Sequence, residues 1–155
     1  MKKSLASLVI EKLSQVAQLY YRLLILVAPA GAGKTKALRK VSKSIGSPMI
    51  NINLELSRRM LDLTERQRVL QLPRLLSEIV NTTGSDVSII DNIEILFEVS
   101  LRQDPLRLLQ TLSRHKTVVV AWSGSYDNEH MTYATPDHPE YRRYLVRDFL
   151  VVSQE

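Results

Sequence analysis

A chain of 155 residues, 45% of them apolar, is expected to fold as a single domain over residues 1–155, with mass enough for one core and too little for two. The absence of cysteine excludes a disulfide framework, a thiol nucleophile and a zinc–thiolate centre, and it suits a reducing cytoplasm. The net charge of +5 is uneven: residues 1–46 hold nine Lys/Arg against one acid and residues 47–100 hold five against eight, so the basic N-terminal third is a candidate contact for DNA or an acidic partner.

Met1-Lys2-Lys3-Ser4 has the charge of a secretory n-region, but Glu11, Lys12, Ser14 and Gln15 interrupt the adjoining segment, so no leader is read there. No segment approaches the roughly twenty apolar residues of a membrane span. Leu5, Leu8, Val9, Leu13, Val16, Ala17 and Tyr20 recur at three- and four-residue steps, which predicts an amphipathic helix over 4–21 that packs on the core or on a partner.

The apolar run Leu23-Leu24-Ile25-Leu26-Val27 predicts a buried strand that delivers the octapeptide Ala28-Pro29-Ala30-Gly31-Ala32-Gly33-Lys34-Thr35. A helix from Lys34 to about Ile45 comes next, and its unpaired N-terminal amides and positive dipole end point back at the loop, where phosphates are favoured. Pro29, Ala30, Gly31, Ala32, Gly33, Lys34, Thr35 and Lys36 are therefore the candidate nucleotide-binding residues. Gly31 and Gly33 let the backbone curl into a ring of N–H groups, the Lys34 ammonium is suited to the β- and γ-phosphates of ATP, and the Thr35 hydroxyl to Mg²⁺. Ala28 stands where the pattern G-x-x-x-x-G-K-[ST] has glycine, a small perturbation if the backbone there stays at negative φ. Lys36, Lys40 and Lys43 recur at helical spacing, either as a stripe for an anionic partner or as a solvated face.

Gly46-Ser47-Pro48 stops this helix, and Met49-Ile50-Asn51-Ile52-Asn53 reads as a short second strand. Residues 57–82 read as helical with breaks: Thr64 and Gln67 fit a capping box, and Pro73 is expected to kink or divide the segment. Asp86–Asp91 forms a third strand, Leu101–Ser113 a helix, Thr117–Trp122 a fourth strand, residues 126–140 a polar loop and Phe149–Val152 a last strand. Apolar strands alternating with helices predict a parallel sheet covered on both faces.

Phosphoryl transfer needs more than a cradle. Asp91, closing an apolar strand, is the candidate metal carboxylate with Thr35, the alternative being a cap on the turn at Asn92. Glu94 and Glu55 are alternatives for orienting water, each equally readable as a surface carboxylate, and Ser123 is placed to hydrogen-bond the γ-phosphate or to serve the turn with Gly124. Arg114, Arg142 and Arg143 are candidates for stabilising the transferring phosphoryl, within the chain or across a subunit boundary. His115, His130 and His138 lack metal-ligand spacing, and Trp122, Tyr133, Tyr141 and Tyr144 suit either a base or the core.

With the loop at 28–35, Asp91 on a third strand and Ser123 after a fourth, residues 22–152 resemble the additional-strand class of P-loop ATPases, which contains AAA+ and RecA-like proteins. The resemblance implies an α/β, three-layer P-loop NTPase core with a parallel five-stranded sheet in the order 5-1-4-3-2. The N-terminal helix is an addition to that core, and no residues remain for a helical lid domain. Asn92 stands where that class has glutamate beside the metal Asp, which implies slow turnover in isolation. The leading helix, the loop, Asp91-Asn92-Ile93-Glu94 and Asp137-His138-Pro139-Glu140-Tyr141-Arg142 are further similar to the BrxF family, the small P-loop proteins of type 3 BREX phage-defence systems. That resemblance implies a bacterial cytoplasmic ATP-binding subunit acting with other defence-system proteins around DNA. The expected function is an ATP-binding, weakly ATP-hydrolysing switch or assembly subunit, with homo-oligomerisation open and no membrane association. A small P-loop kinase with its acceptor pocket between Ser123 and Arg143, and a non-catalytic DNA-binding module, are the rival readings.

Overall fold

The computed structural model describes residues 3–153, so the Met1-Lys2 start of the basic N-terminal run lies outside the described residues. In chain order the elements are α1 (Leu5–Val16), β1 (Leu23–Ala28), α2 (Lys34–Ile45), β2 (Met49–Asn51), α3 (Ile52–Met60), α4 (Glu65–Asn81), β3 (Val87–Asp91), α5 (Pro105–Leu112), β4 (Thr117–Ser123), β5 (Ser125–Asp127), β6 (His130–Tyr133), β7 (Arg142–Leu145) and β8 (Leu150–Ser153). Two 3-10 turns, Glu94–Phe97 and Val99–Leu101, lie between β3 and α5.

Every residue of β1 is buried, and an apolar strand of this kind needs cover on both faces. On one face Leu24, Leu26 and Val119 meet Leu5, Val9 and Val16 of α1 and Leu38 and Val41 of α2. On the other, Leu23, Ile25, Ile90 and Val120 meet Leu56 of α3, Leu72 and Leu76 of α4 and Leu109 of α5. The two-residue period of the strands thus divides one sheet between two cores.

The main sheet has five parallel strands in the order β2-β3-β4-β1-β8. Numbered over all the strands this differs from the expected 5-1-4-3-2: the segment read as the fifth strand, Phe149–Val152, does take the edge beside β1, but as the eighth strand of the chain. Residues 125–145 account for the difference: what reads as loop is a three-stranded antiparallel sheet, β5-β6-β7. Its first hairpin turns on Asn128 and Glu129 at φ +49° and +64°, and a two-residue turn of this hand is usually marked by glycine, which the segment lacks. The small sheet is tied to β4 by Trp122, whose Nε1 donates to Thr132 O at 3.0 Å, and to the 3-10 turn after β3 by the stack of Tyr133 on Phe97, with centroids 3.6 Å apart. A Cβ on Gly124 would lie 1.8 Å from Thr132 O, so only glycine admits this approach.

The helices also differ from expectation at their ends. α1 stops at Val16, leaving Ala17 and Tyr20 exposed, with the Arg114 guanidinium over the Tyr20 ring at 5.2 Å. Ile52 and Asn53 begin α3 instead of extending β2, because Asn51 accepts from Leu54 N at 3.0 Å and caps the helix. Leu61–Thr64 is the break in the helical segment, and the Thr64–Gln67 capping box starts α4 as predicted. Pro73 does not divide α4. The helix expected from Leu101 starts at Pro105, where Asp104 caps it and proline suits the first turn.

Candidate functional site

The turn between β1 and α2 occupies residues 29–33, with Gly31 at φ +79° and Gly33 at φ +91°, conformations that side-chain-bearing residues resist. Ala28 is a buried strand residue registered with Ser123 and is not among the positive-φ residues, so its methyl is accommodated at the position where the pattern has glycine. Ala32 donates its N–H to Pro29 O at 3.2 Å, closing the turn on itself. Gly33 caps α2 with no side-chain bond, so the first-turn amides of α2 have no side chain competing for them.

Lys34 is buried and donates from Nζ to Ala28 O at 2.9 Å and Pro29 O at 2.8 Å, folding its ammonium over the loop. Desolvation lowers its pKa, and the carboxylates of Asp91 and Glu94 oppose that shift. Thr35 Oγ1 donates to Asp91 Oδ2 at 2.7 Å. Asp91 is 5% exposed, and its Oδ1 accepts from Asn92 N at 2.9 Å, so the carboxylate ending β3 is satisfied at both oxygens. A hydroxyl and a carboxylate oxygen are the hard ligands that magnesium prefers. Among the described residues no three His, Cys, Asp or Glu side chains converge as a metal site, so a cation here would take its remaining ligands from phosphate oxygens and water.

After Asp91 the chain turns through Asn92 at φ +54° into the 3-10 turn that begins with Glu94. Asn53 fixes this segment from α3: its N–H donates to Asn92 O at 2.8 Å, its Oδ1 accepts from Ile95 N at 2.9 Å, and its Nδ2 donates to Glu94 Oε2 at 3.3 Å. Nothing in the sequence marks Asn53 for this role, since it reads as the last residue of a strand.

These groups line one cavity of about 480 Å³, which includes Ala30, Gly31, Gly33, Lys34, Thr35, Lys36, Asp91, Glu94 and Ser123 among the residues expected from sequence. Arg39 also lines it and belongs to no motif, although its position one turn beyond Thr35 on α2 is a usable signal. Pro29 borders a neighbouring cavity instead.

Other expected residues stand elsewhere. Glu55 is held by Arg59 at 2.9 Å and by Arg58 at 3.6 Å on α3 and does not line the cavity. Arg114 precedes β4, at the end of the sheet opposite the loop, where its carbonyl accepts from Arg22 Nη2 at 3.2 Å. Arg142 donates to Gln103 O at 2.9 Å, and Arg143 is exposed on β7. Trp122 is fully buried and Tyr133 lies stacked in the aromatic cluster, both serving the core.

No family model and no curated protein matches the sequence. Among solved structures the chain is similar to AMPPCP-bound DnaA from Aquifex aeolicus, at 16% identity and TM-score 0.50, over 96% of this chain and 44% of that one. A structure of the replication initiator DnaA bound to AMPPCP and single-stranded DNA matches with the same 16% identity, TM-score 0.50 and coverage of 96% and 44%. The chain therefore spans less than half the length of the DnaA chains it matches. No helix among the described residues is long and apolar enough to cross a membrane. The likeness shows the fold alone: an α/β domain with a five-stranded parallel sheet.

Proposed function

We propose that this chain binds ATP with Mg²⁺ and hydrolyses it slowly, as a switch or assembly subunit. The observation that carries the reading is the Thr35 Oγ1–Asp91 Oδ2 contact of 2.7 Å beside a loop whose helix amides and lysine face the same cavity. The fold shared with AMPPCP-bound DnaA supports it at the level of architecture.

In this reading Lys34 exchanges its two loop carbonyls for the β- and γ-phosphates, and the α2 amides hold the phosphate chain. Thr35 and Asp91 would hold the magnesium, which would supply neutralisation of phosphate charge. Glu94 orients the attacking water and takes its proton, Asn53 positions Glu94, and Ser123 hydrogen-bonds the γ-phosphate. Asn92 beside Asp91 has no basic oxygen to offer, so Glu94 acts from two residues further on and turnover is slow. A Mg-ATP-dependent rise in Tm and measurable phosphate release, both lost in Lys34→Ala with folding retained, are the expected results. Wild-type protein with no nucleotide-dependent shift overturns the proposal.

The finer reading is a bacterial cytoplasmic subunit of a BREX-like phage-defence complex, acting with other defence-system proteins. It is supported by the resemblance of the loop, of Asp91–Glu94 and of Asp137–Arg142 to that family. Plaque counts on cells carrying such a system test it: Lys34→Ala should abolish protection, and unchanged protection rejects the role.

A second reading is favoured by the neighbouring cavity of about 470 Å³, which shares Ala30 and Ser123 with the first and is lined by Ser125, Thr132, Tyr133 and Glu140. Such a chamber has room for a phosphoryl acceptor. Transfer of labelled phosphate from ATP to a small hydroxyl compound, rather than to water, would establish a kinase.

A further inference from the structure

The exposed surface of α2 carries Lys36, Arg39, Lys40 and Lys43, none of which has a carboxylate within ion-pair distance among the described residues. At about 100° per residue these four fall within an arc of about 100°, and they extend about 10 Å along the helix axis. Lys36 and Arg39 also line the cavity at the phosphate loop, whereas Lys40 and Lys43 continue away from it. The only acid in residues 1–46 is Glu11, and it is paired with Lys3. No large apolar side chain of α2 is exposed, so this face lacks the anchors around which protein interfaces are built.

A row of unpaired cations without apolar anchors matches a repeating anion whose charges lie along a line, which is the chemistry of a nucleic-acid backbone. We infer that the outer face of α2 is a track for the phosphates of a nucleic-acid strand, and that its first two cations are shared with the nucleotide cavity. The sharing rests on the proposed nucleotide site; the track itself does not. A triphosphate held at the loop engages Lys36 and Arg39 and adds negative charge at the head of the track, so nucleotide and strand oppose one another, reciprocally.

The test is fluorescence anisotropy with a labelled single-stranded DNA oligonucleotide of about twenty nucleotides over about 50–200 mM salt. Four phosphate contacts predict a slope of log K against log salt of about −2.8, or about a fifty-fold loss over that range. With Mg-AMPPCP bound, two contacts remain and the slope falls to about −1.4, about a seven-fold loss. Lys40→Glu with Lys43→Glu should lose binding at least ten-fold while keeping the nucleotide-dependent Tm shift, and Lys40→Gln with Lys43→Gln gives the same direction if charge reversal impairs folding. The equal-charge control Arg66→Glu with Arg147→Glu, at exposed sites away from α2, should lose markedly less.

Equal loss in variant and control means diffuse attraction by net charge and overturns the track. Polyglutamate binding as tightly as the oligonucleotide makes the partner an acidic protein and also overturns it. Nucleotide that binds without changing the DNA slope overturns the shared cations. Nucleotide that fails to bind at all rejects the proposed function, while the Lys40 and Lys43 comparison still decides the track.

Discussion

Gln103 Nε2 donates to Val69 O at 2.9 Å, the carbonyl that Pro73, having no N–H, leaves without its helical partner. A side chain from the α5 approach thereby lets α4 run through a proline. Gln103→Leu should destabilise the protein by about 1–2 kcal/mol, a Tm fall of about 2–8 °C. In a Pro73→Ala background, where residue 73 regains its amide, the loss should be smaller. A double-mutant cycle by thermal unfolding checks this, and equal losses in both backgrounds would refute the compensation.

Glu94 faces the cavity and Glu55 faces two arginines. Glu94→Gln should therefore slow phosphate release about a hundred-fold with nucleotide binding retained, and Glu55→Gln should leave it within about two-fold. Single-turnover assays with binding measured separately distinguish the two. The opposite ranking would remove Glu94 from its role.

Burial holds the Lys34 pKa below the ordinary lysine range, so between that depressed value and the ordinary one the unfolded chain carries the extra proton. Stability relative to Lys34→Met should accordingly rise with pH as solution enters that window. Urea unfolding of both proteins from pH 7 to about pH 10 measures the difference, and a flat or falling difference contradicts it.

Tyr133 has its pKa pushed up to about 12 by burial and by the carboxylates of Glu140 and Glu94, and burial with the Asp104 contact raises that of Tyr144 as well. Above about pH 10 the unfolded tyrosines ionise while these two do not, so stability should fall. Phenolate absorbance should show these two phenols titrating above the ordinary tyrosine value. Replacement of Tyr133 by phenylalanine should flatten the alkaline loss.

The missing Cβ at Gly124 is what lets β4 and β6 approach. Gly124→Ala drives a methyl into Thr132 O and should cost more than about 2 kcal/mol, detaching the small sheet from Trp122. Denaturant unfolding with Trp122 fluorescence reads both effects.

The parallel sheet and the loop were legible because their signals are local: five residues of unbroken apolar sequence before the loop, glycines where φ is positive, a lysine and threonine at fixed offsets. Asp91 was legible because a carboxylate at the end of a buried strand needs a reason. The β5–β7 sheet was hidden because Asn128 and Glu129 make its turn without glycine, and Asn51 concealed the start of α3 by capping a helix inside what reads as a strand. Asn53 became visible only when folding set it beside Glu94, whereas Arg39, one helical turn beyond Thr35, lay within reach of the sequence. Arg114 also lay within reach of the sequence: it precedes a strand of a parallel sheet whereas the loop follows one, which puts the two at opposite ends.

Ile25 is registered to Val120 on one side and Val151 on the other, so the strand beneath the phosphate loop draws its two neighbours from far downstream. A ribosome must release residues 117–123 and then 150–153 before that strand is flanked, and loop closures of such length are slow. During synthesis the nascent chain therefore exposes Leu23–Ala28 as an unpaired apolar edge, and chaperone dependence in vivo should track the arrival of β8 more than that of any helix.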